Sequence, residues 1–186
     1  DVVLYRITEV KTNVRWKRIT EKIVPERREH LIRSLFDVQR DAVSGAEVYK
    51  LRGSPEPNIE SAFYCFIVVA PKSPPVFTAR FQYNGKDWLF IKGAIVRVGE
   101  KKCEFDVSEF QRVKRDNEAF KVWEWVDVVP NVAELSILRD LLESEDSVVR
   151  LIGDTYVVDL PVDLNKRMQT MECFALLDML NVLAAH

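Results

Sequence analysis

The sequence predicts an α+β fold: a mostly antiparallel sheet or β-sandwich, flanked by helices and closed by a C-terminal helix. Three observations predict it. Short β-branched and aromatic runs, bounded by Gly, Pro and Asn turns, fill the middle of the chain. Helical periodicity frames that middle on both sides. A chain of 186 residues, 47% of them hydrophobic, buries one sizeable core without staples. Residues 1–186 therefore read as a single domain with three parts: a charged N-terminal strand and helix region (1–53), an antiparallel β core (59–129), and a helix, hairpin and helix (131–186).

Residues 4–10 form the first predicted strand, and the charged stretch KTNVRWKRITEK that follows carries no clear period. Pro25 is a first-turn helix signal. Leu31, Ile32, Leu35, Phe36, Ala42 and Val43 then recur at helical spacing until Ser44-Gly45, which predicts an amphipathic helix over 25–43. RGSPEPN (52–58) and APKSPP (70–75) are loops by their Gly and Pro content. SAFYCFIVVA between them is a buried strand.

VFTARFQYNGKDWLFIKGAIVRVGEKKCEF is the most legible stretch. Asn84-Gly85 is a two-residue hairpin signal, because both central residues of a type I′ turn need positive φ. The implied register sets Tyr83 opposite Lys86, Phe81 opposite Trp88 and Ala79 opposite Phe90 on one face. Gln82 with Asp87, Arg80 with Leu89, and Thr78 with Ile91 take the other face. Lys92-Gly93 marks a bulge or bend. A second turn at Gly99-Glu100 puts Val96 opposite Cys103 and Ala94 opposite Phe105. An isolated ribbon must pack an apolar face on something, so the aromatic face is expected to be core.

A further hairpin is expected around Asp116-Asn117. On its second strand Val122, Val126 and Val128 share one side, while Lys121, Trp123, Trp125 and Asp127 share the other. Both sides carry apolar bulk, which leaves two readings: a central strand covered on both faces, or two tryptophans partly exposed beside a groove. The second reading makes Trp123, Trp125, Lys121 and Asp127 the candidate ligand-binding residues. Asn131 with Glu134 forms a capping box for a helix whose inner face is Leu135, Leu138, Leu141 and Leu142. SVVRLIGDTYVVDL reads as two strands about Gly153-Asp154, and Asp163 caps a last helix running to about residue 183. That helix is apolar nearly all round. It is expected to fold over the aromatic face containing Trp88 and Phe90, or else to pair with a second copy through Leu180 and Leu183, so monomer and homodimer both stay open.

Chemistry-bearing motifs are few. His30 and His186 are the two histidines, and no His-Cys or His-Asp couple is close in sequence. There is no P-loop, G-x-G-x-x-G or G-x-S-x-G, so no cofactor is expected. Cys65, Cys103 and Cys173 lack C-x-x-C spacing and read as small buried hydrophobes, and no metal is expected. Glu124 with Asp127, and Asp154 with Asp159, have the chemistry of a carboxylate acid–base pair. Asp154 reads better as a turn residue and Glu124 as a strand charge paired with a neighbour.

Net charge is −2, from 27 basic and 29 acidic side chains. Residues 1–115 carry 22 basic and 15 acidic groups (+7), and residues 116–186 carry 5 and 14 (−9). Two readings follow: halves of one fold that attract each other, or a bipolar docking surface. Arg15, Lys17, Arg18, Lys22, Arg27 and Arg28 around Trp16, with a smaller cluster of Arg112, Lys114 and Arg115, are the candidate nucleic-acid patches. Glu21, Glu26 and Glu29 dilute the first of them. No run of about 18 apolar residues exists, so a soluble chain without a membrane span is expected. The first residue is Asp1 rather than Met. A preceding segment is therefore expected to have been removed, which leaves export open beside a cytoplasmic location.

The order KDWLFIKGAIVRVGEKKCEF, VWEWVDVV, helix, VVRLIGDTYVVDL and closing helix resembles uncharacterised bacterial domains in which an aromatic strand precedes a short hairpin, and an R-x-x-G-D-x-Y hairpin leads into a final helix. The resemblance covers roughly residues 76–183. Many such proteins look like lipoproteins or other envelope proteins, so it implies a bacterial envelope or secreted setting and no particular activity. The longer charged N-terminal region departs from that pattern. The functional expectation is a non-enzymatic module that binds a protein or small molecule. The alternatives are an enzyme using carboxylates alone and a nucleic-acid binder using the basic N-terminal region.

Overall fold

The computed structural model describes residues 2–7, 16–21, 30, 32–107 and 113–184. The fold is α+β with antiparallel sheets and a C-terminal helix, as expected. A hairpin of β1 (Val2–Ile7) and β2 (Trp16–Glu21) forms a small two-stranded sheet. Six strands form the main sheet in the order β3 (Phe36–Arg40), β4 (Glu47–Leu51), β5 (Ala62–Val69), β6 (Val76–Gly85), β10 (Lys121–Val128), β9 (Lys114–Glu118). Four more form a second sheet in the order β12 (Val157–Pro161), β11 (Ser147–Ile152), β7 (Gly93–Val98), β8 (Lys101–Asp106). Helix α1 (Val132–Asp140) packs on β7 and β8, and α2 (Leu164–Ala184) on β5, β6, α1 and β1.

Strand alternation decides what the core contains. Phe77, Ala79, Phe81 and Tyr83 of β6 point to one face, with Phe63, Cys65 and Ile67 of β5 beside them, all buried. One part of this inner face meets the second sheet, where the Phe81 and Phe105 ring centroids are 5.0 Å apart. Another part meets α2, where Phe77 stacks on Phe174 at 4.4 Å. The deeply apolar α2 is thus covered within the chain by sheet, helix and hairpin. Its contacts run to β5, β6, α1 and β1, and Phe90 is left exposed. Leu180 is half-buried against the core, and the side chain of Leu183 lies outside the described residues.

The local signals that held are specific. Asn131 Oδ1 accepts from the backbone N–H of Ala133 and Glu134 at 2.9 and 3.0 Å, and the Glu134 carboxylate accepts from Asn131 N–H at 2.7 Å. Leu138 and Leu141 are buried, with Leu135 and Leu142 packed beside them. Asp163 Oδ1 accepts from Lys166 N–H at the start of α2. The Gly99-Glu100 turn sets Val96 opposite Cys103 and Ala94 opposite Phe105. Cys65 and Cys173 are free and buried, Cys103 free and half-buried. Burial pushes all three thiols up, Cys103 to about 12.

Three expectations are corrected. The helix over 25–43 does not extend through its second half: residues 32–35 are helical, 36–40 are strand β3, and Ser44-Gly45 closes a turn into β4. Asp41 builds that turn, since its Oδ1 accepts from Val43 N–H, Ser44 N–H and Ser44 Oγ–H. The Asp116-Asn117 turn lies further on, at Ala119-Phe120, because Asp116 and Asn117 pair with Trp123 and Val122. Ala119 supplies the positive φ (+49°). Lastly, Asn84-Gly85 does not turn β6 back on itself. Strand β6 pairs with β5 and β10, and residues 86–92 cross to the second sheet as irregular chain.

The charge asymmetry has an internal use. Arg80–Asp127, Lys92–Asp154, Arg97–Asp146, Lys101–Asp140 and Arg115–Glu124 each join a cation of the basic part to a carboxylate of the acidic part. The basic and acidic parts of the chain are thus drawn together in one fold.

Candidate functional site

The crossover at 86–92 is held by a buried carboxylate. Strand alternation puts Glu124 on the Val122, Val126 and Val128 side of β10, facing the core, and its side chain has no solvent exposure. Glu124 Oε1 accepts from the backbone N–H of Leu89 at 2.7 Å and of Phe90 at 2.8 Å. Its Oε2 accepts from Ile91 N–H at 3.0 Å and from Arg115 Nε at 3.2 Å. Three successive N–H groups converging on one anion form a nest, which needs a left-handed residue in the run. Phe90 is that residue, with φ +56°. A charged acceptor explains why this chain is irregular: the amides that a β6 hairpin partner would have used are spent on Glu124.

The second sheet clamps the crossover from the other side. Asp154 N–H donates to Leu89 O at 3.0 Å, and the Asp154 carboxylate pairs with Lys92. The Tyr83 and Tyr156 hydroxyls lie 2.9 Å apart, at 3.0 and 3.1 Å from Asp87 O. Gly153 permits this approach, because a Cβ there would overlap the Leu89 carbonyl and side chain.

Alternation within the crossover then sorts its side chains. Leu89 and Ile91 point inward and are buried, whereas Trp88 is half-buried and Phe90 is 44% exposed. The expected core role is therefore corrected for Phe90, whereas Trp88 packs against the core with part of its ring exposed. Their ring centroids are 6.2 Å apart, and the Arg115 guanidinium lies 5.5 Å from the Phe90 centroid. Trp88, Phe90 and Arg115 form a surface patch with a rigid base. The signal for it in the sequence was an acid at an inward position of a strand, three residues from Asp127.

The four residues expected to bind a ligand lie on or beside the opposite face of β10. Trp123 and Trp125 are half-buried there and Lys121 is exposed. Lys114 Nζ sits 5.9 Å from the Trp125 ring centroid. Asp127 is not free: Arg80 holds it with two bonds, Nε at 2.5 Å and Nη2 at 2.7 Å. The Arg80 guanidinium also donates to Tyr64 Oη and lies over the Tyr64 and Phe66 rings. Loop 52–60 is tied to this face, since Gln82 Nε2 donates to the carbonyls of Pro55, Glu56 and Glu60.

Neither proposed acid–base couple forms. Glu124 and Asp127 point to opposite faces of the sheet, Asp154 is paired with Lys92, and Asp159 accepts from Arg150 Nε and Nη2 at 2.6 and 2.7 Å. That last bidentate bond holds the Asp159 carboxyl below the usual range. His30 is exposed, and His186 lies outside the described residues. Among the described residues no three His, Cys, Asp or Glu side chains gather to hold a metal, and no helix is long and apolar enough to cross a membrane. Of the basic patches, Arg15, Lys22, Arg27, Arg28 and Arg112 lie outside the described residues. Comparison with protein-family models, curated proteins and solved structures finds nothing that matches this chain.

Proposed function

We propose that the protein is a non-enzymatic interaction module, and that it meets its partner through Trp88, Phe90 and Arg115. One observation carries this reading: a bulky aromatic residue sits at positive φ with its ring substantially in solvent. A left-handed conformation costs a non-glycine residue about 1–2 kcal/mol. Residues held in such regions cluster where the strain serves a site. A half-exposed ring offsets little of that cost by burial, so an external partner accounts for a phenylalanine here better than packing does. The fixed base adds preorganisation, which lowers the ordering cost of binding.

The carboxylate-enzyme alternative is weakened by the engagement of Glu124, Asp127, Asp154 and Asp159 with cations. A second contact surface at Trp123, Trp125 and Lys121 is supported by the half-burial of both indoles. The bacterial envelope or secreted setting belongs to the same proposal and rests on the resemblance alone. The test is selection of a displayed random peptide library on the full chain, repeated with Phe90→Gly. Glycine relieves the backbone while removing the ring, so ligands that bind wild type and lose at least tenfold on the variant are expected. Selection that yields no ligand sensitive to Phe90→Gly contradicts the reading.

A further inference from the structure

We infer that the patch recognises an acidic side chain in an extended peptide segment of a partner protein, added as a strand to the edge of β9. The inference rests on the interaction-module reading above and names the chemistry of its partner.

Two independent observations carry it. The first is the state of Arg115. Its Nε is bound to Glu124 and its guanidinium is stacked on Phe90, which fixes the plane of the fork. Among the described residues Glu124 is its hydrogen-bonding partner through Nε alone, and the side chain is 40% exposed, so the Nη1 and Nη2 edge is open. Arg115 is the cation paired with the buried Glu124, and it makes that pair through Nε, which leaves the rest of the fork for a second anion. An oriented guanidinium edge suits a planar carboxylate, which accepts two parallel bonds from it.

The second observation is the place of Arg115 in the fold. Among the described residues strand β9 (KRDNE) is the outer strand of the main sheet, exposed along its whole length, and its far side offers backbone N–H and C=O groups to an incoming strand. The charged side chains Lys114, Arg115, Asp116 and Glu118 discourage indiscriminate pairing along this edge, and Arg115 is the one of them on the inner face, opposite Glu124. On the inner face an acidic residue directly opposite Arg115 would have its carboxylate within reach of the fork. Residues two positions away on the same face would lie toward the Phe90 ring, which the Arg115 guanidinium already meets. The remaining charged groups of the crossover are Lys86, Asp87 and Lys92, the last already paired with Asp154. The ligand is thus an extended segment with an acid flanked at alternate positions by apolar residues. A nucleic acid would supply an anion but no strand to pair with β9.

The test uses octapeptides selected from a random displayed library against the full chain, measured for affinity and by ¹⁵N spectra of the protein. The inference expects one position enriched in Asp or Glu, an affinity loss of about tenfold when that residue becomes Asn or Gln in the peptide, and shifts in the β9 amides and the Trp88 indole. Arg115→Lys is expected to recover only part of the affinity lost in Arg115→Gln, since lysine keeps the charge and loses the fork. The peptide-side change needs no protein variant, so instability of an Arg115 variant cannot obscure the result. Peptides that depend on Phe90 but tolerate Asn at every acidic position overturn this inference and leave the interaction-module reading standing. Failure to obtain any Phe90-dependent peptide overturns both. A thymidine oligonucleotide that shifts the β9 amides at lower concentration than any selected peptide overturns the inference in favour of nucleic acid.

Discussion

Glu124 and Asp127 stand three residues apart on β10, and each meets an arginine, yet they are fixed in different ways. Asp127 lies on the outer face, where its partner Arg80 is a side chain that could itself be exchanged. Glu124 lies on the inner face, where three of its four donors are backbone amides. A buried side-chain ion pair can often be replaced by apolar residues of similar volume at little cost. Backbone donors survive every substitution except proline, so the acceptor they meet is far harder to replace. An ion pair and a chain latch thus have the same appearance in a sequence, a carboxylate and an arginine, and opposite tolerance to redesign.

Substitution should separate the two. Glu124→Ala leaves three amides and Arg115 without an acceptor in a dry site, and is expected to cost about 3–5 kcal/mol in urea unfolding. Asp127→Ala strands a mostly buried Arg80 that still bonds Tyr64 and lies over two rings, so about 2–3 kcal/mol is expected. The paired change Arg80→Met with Asp127→Leu should recover most of that loss. Arg115→Met with Glu124→Leu should recover little, and an equal recovery in the two cases would erase the distinction.

Phe90→Gly should move stability little, because relief of the left-handed backbone offsets the loss of a partly exposed ring. The expectation is wild-type stability or a gain of up to about 1 kcal/mol. A loss of about 3 kcal/mol, the scale for deleting a buried phenylalanine, would make Phe90 a core residue and remove the argument for a contact surface.

The smallest effect belongs to exposed pairs. The folded-state carboxyls of Asp146 and Asp159 are held down by hydrogen bonds from Arg97 and Arg150. A lowered folded value means that each contribution is present above the unfolded carboxyl range near pH 3.9, and is lost as pH falls through the folded value. Carboxyl chemical shifts should follow that order, and Arg150→Gln should return the Asp159 midpoint to the ordinary range while leaving Asp146 where it was.

How much of this was legible follows from which forces are local. The Asn131 capping box, the Gly99-Glu100 turn and the Asp163 cap are settled by neighbours within a few residues, and they appear where the sequence places them. Asn84-Gly85 has equally good turn chemistry and does not close a hairpin. Its would-be second strand is captured by Glu124, 33 to 35 residues away along the chain, and long-range capture overrides local turn preference. Residues 36–40 depart from the helical expectation for a related reason: Phe36 falls in phase with the helical positions before it, but pairing with β4 decides the outcome. The candidate ligand face around Trp123 and Trp125 was legible as a face. The patch around Phe90 was not, because exposure of that ring depends on a left-handed residue that only the nest requires.

Glu124 holds the crossover, and through it the orientation of Phe90 and Arg115. Native-state hydrogen exchange at the amides of Leu89, Phe90 and Ile91 tests it most directly, since these donors lie outside any strand ladder. The account predicts that all three are protected in wild type to the level of the neighbouring β10 amides, and that Glu124→Gln lowers protection there while β5 and β6 keep theirs. Free exchange of the three amides in the wild-type protein would contradict it.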